Sequence, residues 1–499
     1  MKFSSAIASL TVLASSCLAE VVEERALPLV QSNQLRRVLL RSELLKKANT
    51  LEGFAYATPA RNRVIGSPGH AATIKWLVDT VTALDYYDVT TQAFTVPQGN
   101  SSFVAGGTTY ESLLMTFSPA GSPDAPLVAV ANLGCDPADY PAEVAGSIAL
   151  ISRGSCEFGL KSALAGAAGA AGAIIYNNVP GLLQGTLGQE TRPQGPYPPT
   201  AGISQEDGLA LVAALGAGEV TGALTITLYD VTTYNVIAQT KGGDPENVIH
   251  VGAHSDSVTA GPGINDNGSG SIGLLEVATQ LTKFSVNNAV RFSWWSAEES
   301  GLIGATRYVE SLSKAELDKI RLYLNFDMIA SPNFIYGIYD GDGSAFNLSG
   351  PPGSAEAEKL FEDYFTNEAG LPWTPTEFSG RSDYGPFLDA GIASGGLFTG
   401  AEVLKTAEEA AIFGGQAGVA YDVNYHGAGD NVANLNVGAF IQNTKAIAHA
   451  VATYAVSFDS LPAKTTKREL PKDTFKIPRD FSEPHVHSHG HGCLDNLFV

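Results

Sequence analysis

Charge is scarce in this chain, and what there is has mostly one sign. Only 16% of the 499 residues are Asp, Glu, Lys or Arg, against about 25% in an ordinary soluble chain. Basic residues are the scarcer kind: 30 Lys and Arg face 51 Asp and Glu, a net charge of −21. Such a surface repels phosphate backbones and anionic lipid. Nucleic acid and membrane are thereby excluded as main partners. Long apolar runs are also missing, since no run after the amino terminus reaches the roughly 18 residues of a membrane span. Cysteine is rare, at four residues. What is abundant is apolar, 44% of the chain, so a large core is available and wholesale disorder is excluded. The length predicts two to three domains. No internal repeat is present.

The amino terminus sets the expected compartment. Lys2 gives a positive start, Phe3 to Leu13 are mostly small and apolar, and Cys17-Leu18-Ala19 offers small residues at both recognition positions of a signal cleavage site. Residues 1–19 read as a signal peptide, and the protein as secreted, with a vacuole as the other destination. Cys17 leaves with that segment. Cys135, Cys156 and Cys493 remain, and an oxidising route lets two of them pair. Asn100-Ser101-Ser102 and Asn347-Leu348-Ser349 are glycan acceptor sequons.

Helical periodicity runs over residues 31–58, with Leu35, Val38, Leu39, Leu44 and Leu45 on a broad apolar face. A turn at Arg61–Pro68, a helix over Ala71–Leu84 and a strand over residues 87–96 follow. Between about 105 and 230, short apolar strands such as Pro126–Asn132 and Gly146–Ile151 alternate with glycine and alanine. Leu160–Gly172 reads as an alanine-rich helix and Ala173–Tyr176 as a buried strand, so this stretch is expected to be a small inserted domain. From about Tyr234 the pattern is βαβ. Strands are expected over Asn247–His254, Ala289–Ser296 and Arg321–Ile329, and a helix over Ser269–Leu281. Strands alternating with helices predict an α/β sheet covered on both sides. The expected divisions are 20–104 and 233–460 for the two parts of the main domain, 105–232 for the insert and 461–499 for a polar tail.

The polar residues fall where such a fold places chemistry. His254 and Asp256 end the first strand, Asp266 precedes the helix, Glu298 and Glu299 end the second strand, and Asp327 ends the third. In open α/β sheets the ligand site lies outside the carboxyl ends of the strands. His426, in the loop Tyr421–Asp430, can close it. Imidazole with carboxylate suits zinc. One carboxylate can bridge two ions about 3.5–4 Å apart. Five ligands with one shared give each ion three, leaving room for a water. A base must accept that water's proton. One of Glu298 and Glu299 can bind metal while the other faces the water, and the residues alone let the two exchange roles. Singly, each residue has a bland explanation: Asp266 as a helix cap, His254 as a hydrogen-bonded strand end, the glutamates as surface charge. Coincidence at three successive strand ends is what points to metal.

The stretches HVGAHSDSVTAGPGINDNGSGSIGLLE, RFSWWSAEESGLIGATRYV, LYLNFDMIASPN, FSGRSDYGPFLDAGIASGGLFTGAE and YDVNYHGAGD together resemble the secreted zinc aminopeptidases of the aminopeptidase Y type, fungal leucine aminopeptidases above all. The likeness runs over about residues 30–460, in the family's order. It implies a mixed, mostly parallel sheet flanked by helices and two Zn2+ ions per chain. His254, Asp266 and Asp327 would hold one ion; Asp266, Glu299 and His426 the other, with Asp266 bridging. It further implies Glu298 as general base, Asp256 as the carboxylate orienting the histidine ligand, and Tyr425 as the group that stabilises the oxyanion. The main-chain carbonyl of Arg381 would help hold the free amino group, and Phe398 would wall the specificity pocket. A cis peptide is implied between Asp266 and Asn267, which buries Asn267 and removes its sequon from consideration. One departure stands out: Asn424 and Gly429 occupy positions where some relatives have a disulfide, so Asp430 is a candidate for holding that loop.

The segment GSIALISRGSCEFGLKSALAGAAGAAGAIIYNN resembles a protease-associated domain. Cys135 and Cys156 lie in that insert and are expected to pair. The expected protein is thus a monomeric exopeptidase acting on peptides with a free amino terminus, preferably at leucine-like residues. Two rivals share the scaffold: a carboxypeptidase or glutaminyl cyclase, with Arg381 the one candidate cation for a terminal carboxylate, and a non-catalytic binding protein. His485, His487, His489 and His491 and the dibasic Lys467-Arg468 lie in the tail, which reads as a polar extension outside the catalytic unit.

Overall fold

Three apolar strands form the centre, and each is buried over the stretch that crosses the sheet, as strands covered on both faces must be. They are Asp244–His254, Asn288–Trp295 and Ile320–Phe326; only the start of the first, Asp244–Glu246, is exposed. The structure, a computed structural model, describes residues 27–188 and 191–463. The signal segment, Cys493 and the tail histidines lie outside the described residues. Across the main sheet the order is Thr374–Thr376, Gly337–Tyr339, Ser394–Phe398, Ile320–Phe326, Asp244–His254, Asn288–Trp295 and Thr221–Thr240. The four strands from Ser394–Phe398 to Asn288–Trp295 are parallel to their neighbours. Gly337–Tyr339 and Thr221–Thr240 flank them antiparallel. The sheet is therefore mixed and mostly parallel.

Helices cover both faces. Arg41–Tyr56, Gly268–Leu281 and Val437–Val456 bury Leu44, Leu274 and Ile447 in one core. Ile303–Ser311 and Tyr384–Asp389 bury Tyr308 and Phe387 with Trp295 and Tyr323 in the other. The periodic stretch at residues 31–58 is two helices, Ser32–Arg37 and Arg41–Tyr56. The chain breaks where Leu40 takes extended backbone and stands exposed, while Leu39 before it is buried.

The strand expected over residues 87–96 continues to Ala105. The whole strand pairs residue by residue with Thr221–Thr240, from Tyr87 opposite Thr240 to Ala105 opposite Gly222. Backbone pairing carries it outward, and few of its side chains are buried, which is why hydrophobic alternation underestimates its length. This two-stranded ribbon leads from the main sheet to a second unit with its own cores. There Asp124–Ala129, Ile148–Ser152, Gly172–Tyr176 and Thr200–Ile203 run parallel as neighbours. The alanine-rich helix is shorter than its composition suggests, Phe158–Ala167. Close backbone approach ends its freedom to vary: a Cβ on Gly166 would lie 1.8 Å from the Pro196 carbonyl oxygen.

Cys135 and Cys156 are disulfide-bonded, at a sequence separation of 21. A loop of that length predicts about 3 kcal/mol of stabilisation. Replacing both cysteines by serine should lower the melting temperature of the oxidised protein. Reductant should bring the wild type down to the same value, and a wild-type melting curve indifferent to reductant would contradict the bond.

Candidate metal centre

The carboxyl ends of the central strands open onto one crevice. His254 is the last residue of its strand, Asp327 follows Phe326 directly, and Glu298 and Glu299 lie in the turn after Trp295. Asp266 precedes Asn267, which caps the helix Gly268–Leu281 by accepting from the Gly270 N–H. The Asp266–Asn267 peptide is cis. Asn267 is fully buried, and its amide also donates to the Phe326 carbonyl, so its sequon is occupied with structure. Gly270 permits this closeness: a Cβ there would lie 2.1 Å from the Phe326 carbonyl oxygen.

The distances sort the side chains into two groups around one carboxylate. His254 Nε2 lies 3.3 Å from Asp266 Oδ1 and 3.4 Å from Asp327 Oδ1. His426 Nε2 lies 3.1 Å from Asp266 Oδ2 and 3.1 Å from Glu299 Oε2. Each oxygen of Asp266 thus faces a different histidine. Glu298 Oε2 stands farther off, 3.8 Å from His254 Nε2. Tyr425 stacks on His426 at 3.8 Å between ring centroids. Phe398, Met328 and Arg381 line the crevice from the other side. The Arg381 guanidinium lies 3.4 Å from Glu402.

Further side chains hold these groups in place. Asp256 accepts from the backbone N–H groups of Glu298 and Glu299, so it fixes the glutamate turn, while its distance to His254 Nδ1 is 3.7 Å. Ser382 donates to Asp327 and receives from Asn325. Asp383 beside it is fully buried with both oxygens lacking a hydrogen-bond partner. Both sit in the GRSDYGPF loop that the sequence singles out for Arg381 alone. Asp430 accepts from the N–H groups of Asn265 and Asp266, and Asp422 takes the side chains of Asn265 and Asn434. These bonds hold the loop that lacks cysteines. Arg63 is wholly buried behind the crevice and donates to the carbonyls of Ser255, Pro262 and Gly263. Burial lowers its guanidinium to about 10, with Asp256 and Asp430 holding it up, so it stays charged at neutral pH.

Backbone strain gathers at the same place. Ala297, Met328 and His426 have φ of 61°, 46° and 53°, each within or next to a crevice residue. A non-glycine residue in this region costs of order 1–3 kcal/mol and persists where the surroundings over-determine it.

The donor set fits divalent metal. Glu299 Oε1 and Asp327 Oδ1 are buried and accept no hydrogen bond. Burial pushes Glu298 well above the usual carboxylate range, with Glu299 and Asp383 adding to it. Burial lowers the two imidazoles, but their neighbours outweigh it. Asp327 and Glu298 hold His254 well above its ordinary value, and Glu299 and Asp266 lift His426 to about 10. Without metal, protonated histidines balance the carboxylates; a bound cation takes over that part.

An open α/β sheet with an imidazole–carboxylate crevice at its strand ends defines a metallohydrolase. Peptidase family M28 matches residues 235–451, and a PA domain matches residues 123–211. A protein named probable leucine aminopeptidase 2 from Aspergillus fumigatus is 53% identical over 93% of each chain. Leucine aminopeptidase 2 of Arthroderma otae is 50% identical over 97% of each. The crystal structure of a zinc aminopeptidase from Bacillus subtilis superimposes with a TM-score of 0.70 at 26% identity, covering 83% of this chain and 95% of that one. The chain belongs to peptidase family M28 and carries a PA domain; it is a zinc-dependent aminopeptidase.

Metal binding should therefore release protons. Carboxylate neighbours hold His254 well above its ordinary value and His426 up at about 10, and an imidazole that binds zinc must be neutral. Titrating zinc into metal-free protein at pH 7.5 should release protons, read as heats that vary with buffer ionisation enthalpy. Buffer-independent heats would contradict this charge balance.

Proposed function

We propose that the protein is a secreted enzyme that holds two zinc ions and removes hydrophobic, leucine-like residues from the free amino terminus of peptides. The observation that carries the two-ion reading is Asp266, whose two oxygens face His254 and His426 separately. His254, Asp266 and Asp327 would hold one ion, and Asp266, Glu299 and His426 the other. When bound, zinc supplies Lewis-acid polarisation of the scissile carbonyl and makes water acidic near neutral pH.

The chain's own residues do the rest. Glu298 clusters with His254 and Asp327, but at 3.8 Å it is farther from His254 Nε2 than Asp266 or Asp327 is, and its carboxylate is destabilised by burial, so we assign it the base and not a ligand. It is suited to take the proton of the attacking water and return it to the leaving amine. The Tyr425 hydroxyl would donate to the developing oxyanion. The substrate's ammonium group would find the Arg381 carbonyl and the surplus of buried carboxylate. Phe398 and Met328 offer apolar walls to its side chain, and the names of the fungal relatives agree with leucine. The carboxypeptidase rival needs a cation for a carboxylate, yet the Arg381 guanidinium faces Glu402.

Secretion is supported by the signal-like residues 1–19, by the Cys135–Cys156 bond and by the exposure of Asn347, the proposed glycan site; Asn100 is exposed too, but it lines the cleft beside the insert, which a glycan would fill, so no glycan is proposed there. Residues 20–104 and 233–460 would form the peptidase domain around an insert at 105–232. Among the described residues no helix is long and apolar enough to cross a membrane.

Glu298→Gln should keep both metals and lose about 10²–10⁴-fold in rate, because it removes a base and not a ligand. Loss of one zinc in that variant would show that Glu298 and Glu299 have exchanged roles. Asp266→Ala should cost both ions and His426→Ala chiefly one. Equal single-ion losses by metal analysis would contradict the bridge.

A further inference from the structure

A cleft of about 660 Å³ runs from the metal crevice to the insert, within the roughly 300–1,000 Å³ of ligand sites. The main domain contributes Ile65 and Ile303 to it, the ribbon Leu228 and Tyr229, and the insert Phe117 and Tyr197. Its one charged lining side chain among the described residues is Glu299, which also belongs to the metal crevice. The two spaces thus adjoin at Glu299.

The walls are built to be covered. Phe117, Leu228 and Tyr229 are 39%, 39% and 47% exposed, although large apolar side chains left open together mark interaction sites. Phe117 is held with φ at 69°, a left-handed backbone that a bulky residue adopts only under constraint. The rest of the lining is uncharged, with hydroxyls such as Ser101 and Ser112 bonded to each other.

We propose that this cleft binds the part of the peptide downstream of the scissile bond, and that it selects apolar over acidic residues two and three places beyond that bond. The inference rests on the aminopeptidase activity. Arg381, Met328 and Phe398 line the metal crevice but not the cleft, and Glu299 lines both, so with the terminal residue in the crevice the remaining chain leaves past Glu299. There it meets aromatic and aliphatic walls. Among the described residues no lining cation waits for an acidic side chain, and Glu299 opposes one. The insert is then part of the substrate site, since its Phe117 and Tyr197 form one wall.

Full-length, zinc-loaded enzyme would be assayed on Leu-4-nitroanilide, Leu-Gly-Phe-Phe and Leu-Gly-Glu-Glu. The wild type should favour Leu-Gly-Phe-Phe over Leu-Gly-Glu-Glu by about tenfold in kcat/KM, the worth of one well-buried apolar side chain. Phe117→Ala and Tyr229→Ala, which truncate exposed side chains and spare the core, should lower the ratio of Leu-Gly-Phe-Phe to nitroanilide turnover by about 3–10-fold, through KM. Ser112→Trp, which fills the insert side, should lower the same ratio. Equal turnover of the two tetrapeptides, or ratios unmoved in all three variants, would overturn the cleft assignment. A wild type that cleaves none of the three substrates would overturn the aminopeptidase reading, and the cleft assignment with it.

Discussion

Buried negative charge is the constraint around which this protein is organised. Asp256, Asp266, Glu298, Asp327 and Asp383 are all buried, and Glu299 is largely so, around a single crevice. Carboxylates so placed repel one another in a medium that screens poorly. Some of that charge is met by fixed dipoles. Asp256 takes two backbone N–H groups, Asp430 takes two more, and Ser382 donates to Asp327. Arg63 adds a permanent cation without touching the ligands, because its donors are spent on three backbone carbonyls. What is left over is the affinity for metal. A site fully neutralised by its own protein would have no such surplus, and one with no fixed support would not hold its carboxylates in place.

The scaffold delivers this arrangement by topology. Parallel strands end on the same side, so three consecutive strand ends bring imidazole and carboxylate to one crevice without any long-range design of loops. The cost appears in the backbone just beyond those ends, where Ala297, Met328 and His426 lie in the left-handed region. The loop carrying Tyr425 and His426 arrives from elsewhere in the chain. Asp422, Asp430, Asn265 and Asn434 tie it to the segment that carries Asp266. Asp266 and the histidine facing its Oδ2 are thereby positioned by one polar network.

The central sheet and the crevice residues were legible because they combine strong signals: apolar runs of strand length, each closed by imidazole or carboxylate. The supporting residues were not. Arg63 sits in a turn, and nothing local distinguishes a buried arginine from an exposed one. Asp383 lies two residues from Arg381, yet a carboxylate in a polar loop reads as surface until the fold encloses it. The outer half of the strand Tyr87–Ala105 was missed for a different reason. It is stabilised by pairing with its partner strand, and its side chains leave no hydrophobic period to read.

The ribbon explains how the two units come to share a site. Tyr87–Ala105 and Thr221–Thr240 belong at one end to the main sheet, where Thr221–Thr240 pairs with Asn288–Trp295, and at the other to the insert, where it pairs with Asp124–Ala129. Hydrogen bonding is thus unbroken from the strand that leads into Glu298 and Glu299 to the wall that carries Phe117. A flexible tether would let the insert swing and open the cleft to water. A paired ribbon fixes one unit against the other, because bending it sharply would break ladder hydrogen bonds along nineteen paired positions. The insert is therefore held where it bounds the metal crevice, and the geometry of the cleft is a property of the sheet itself.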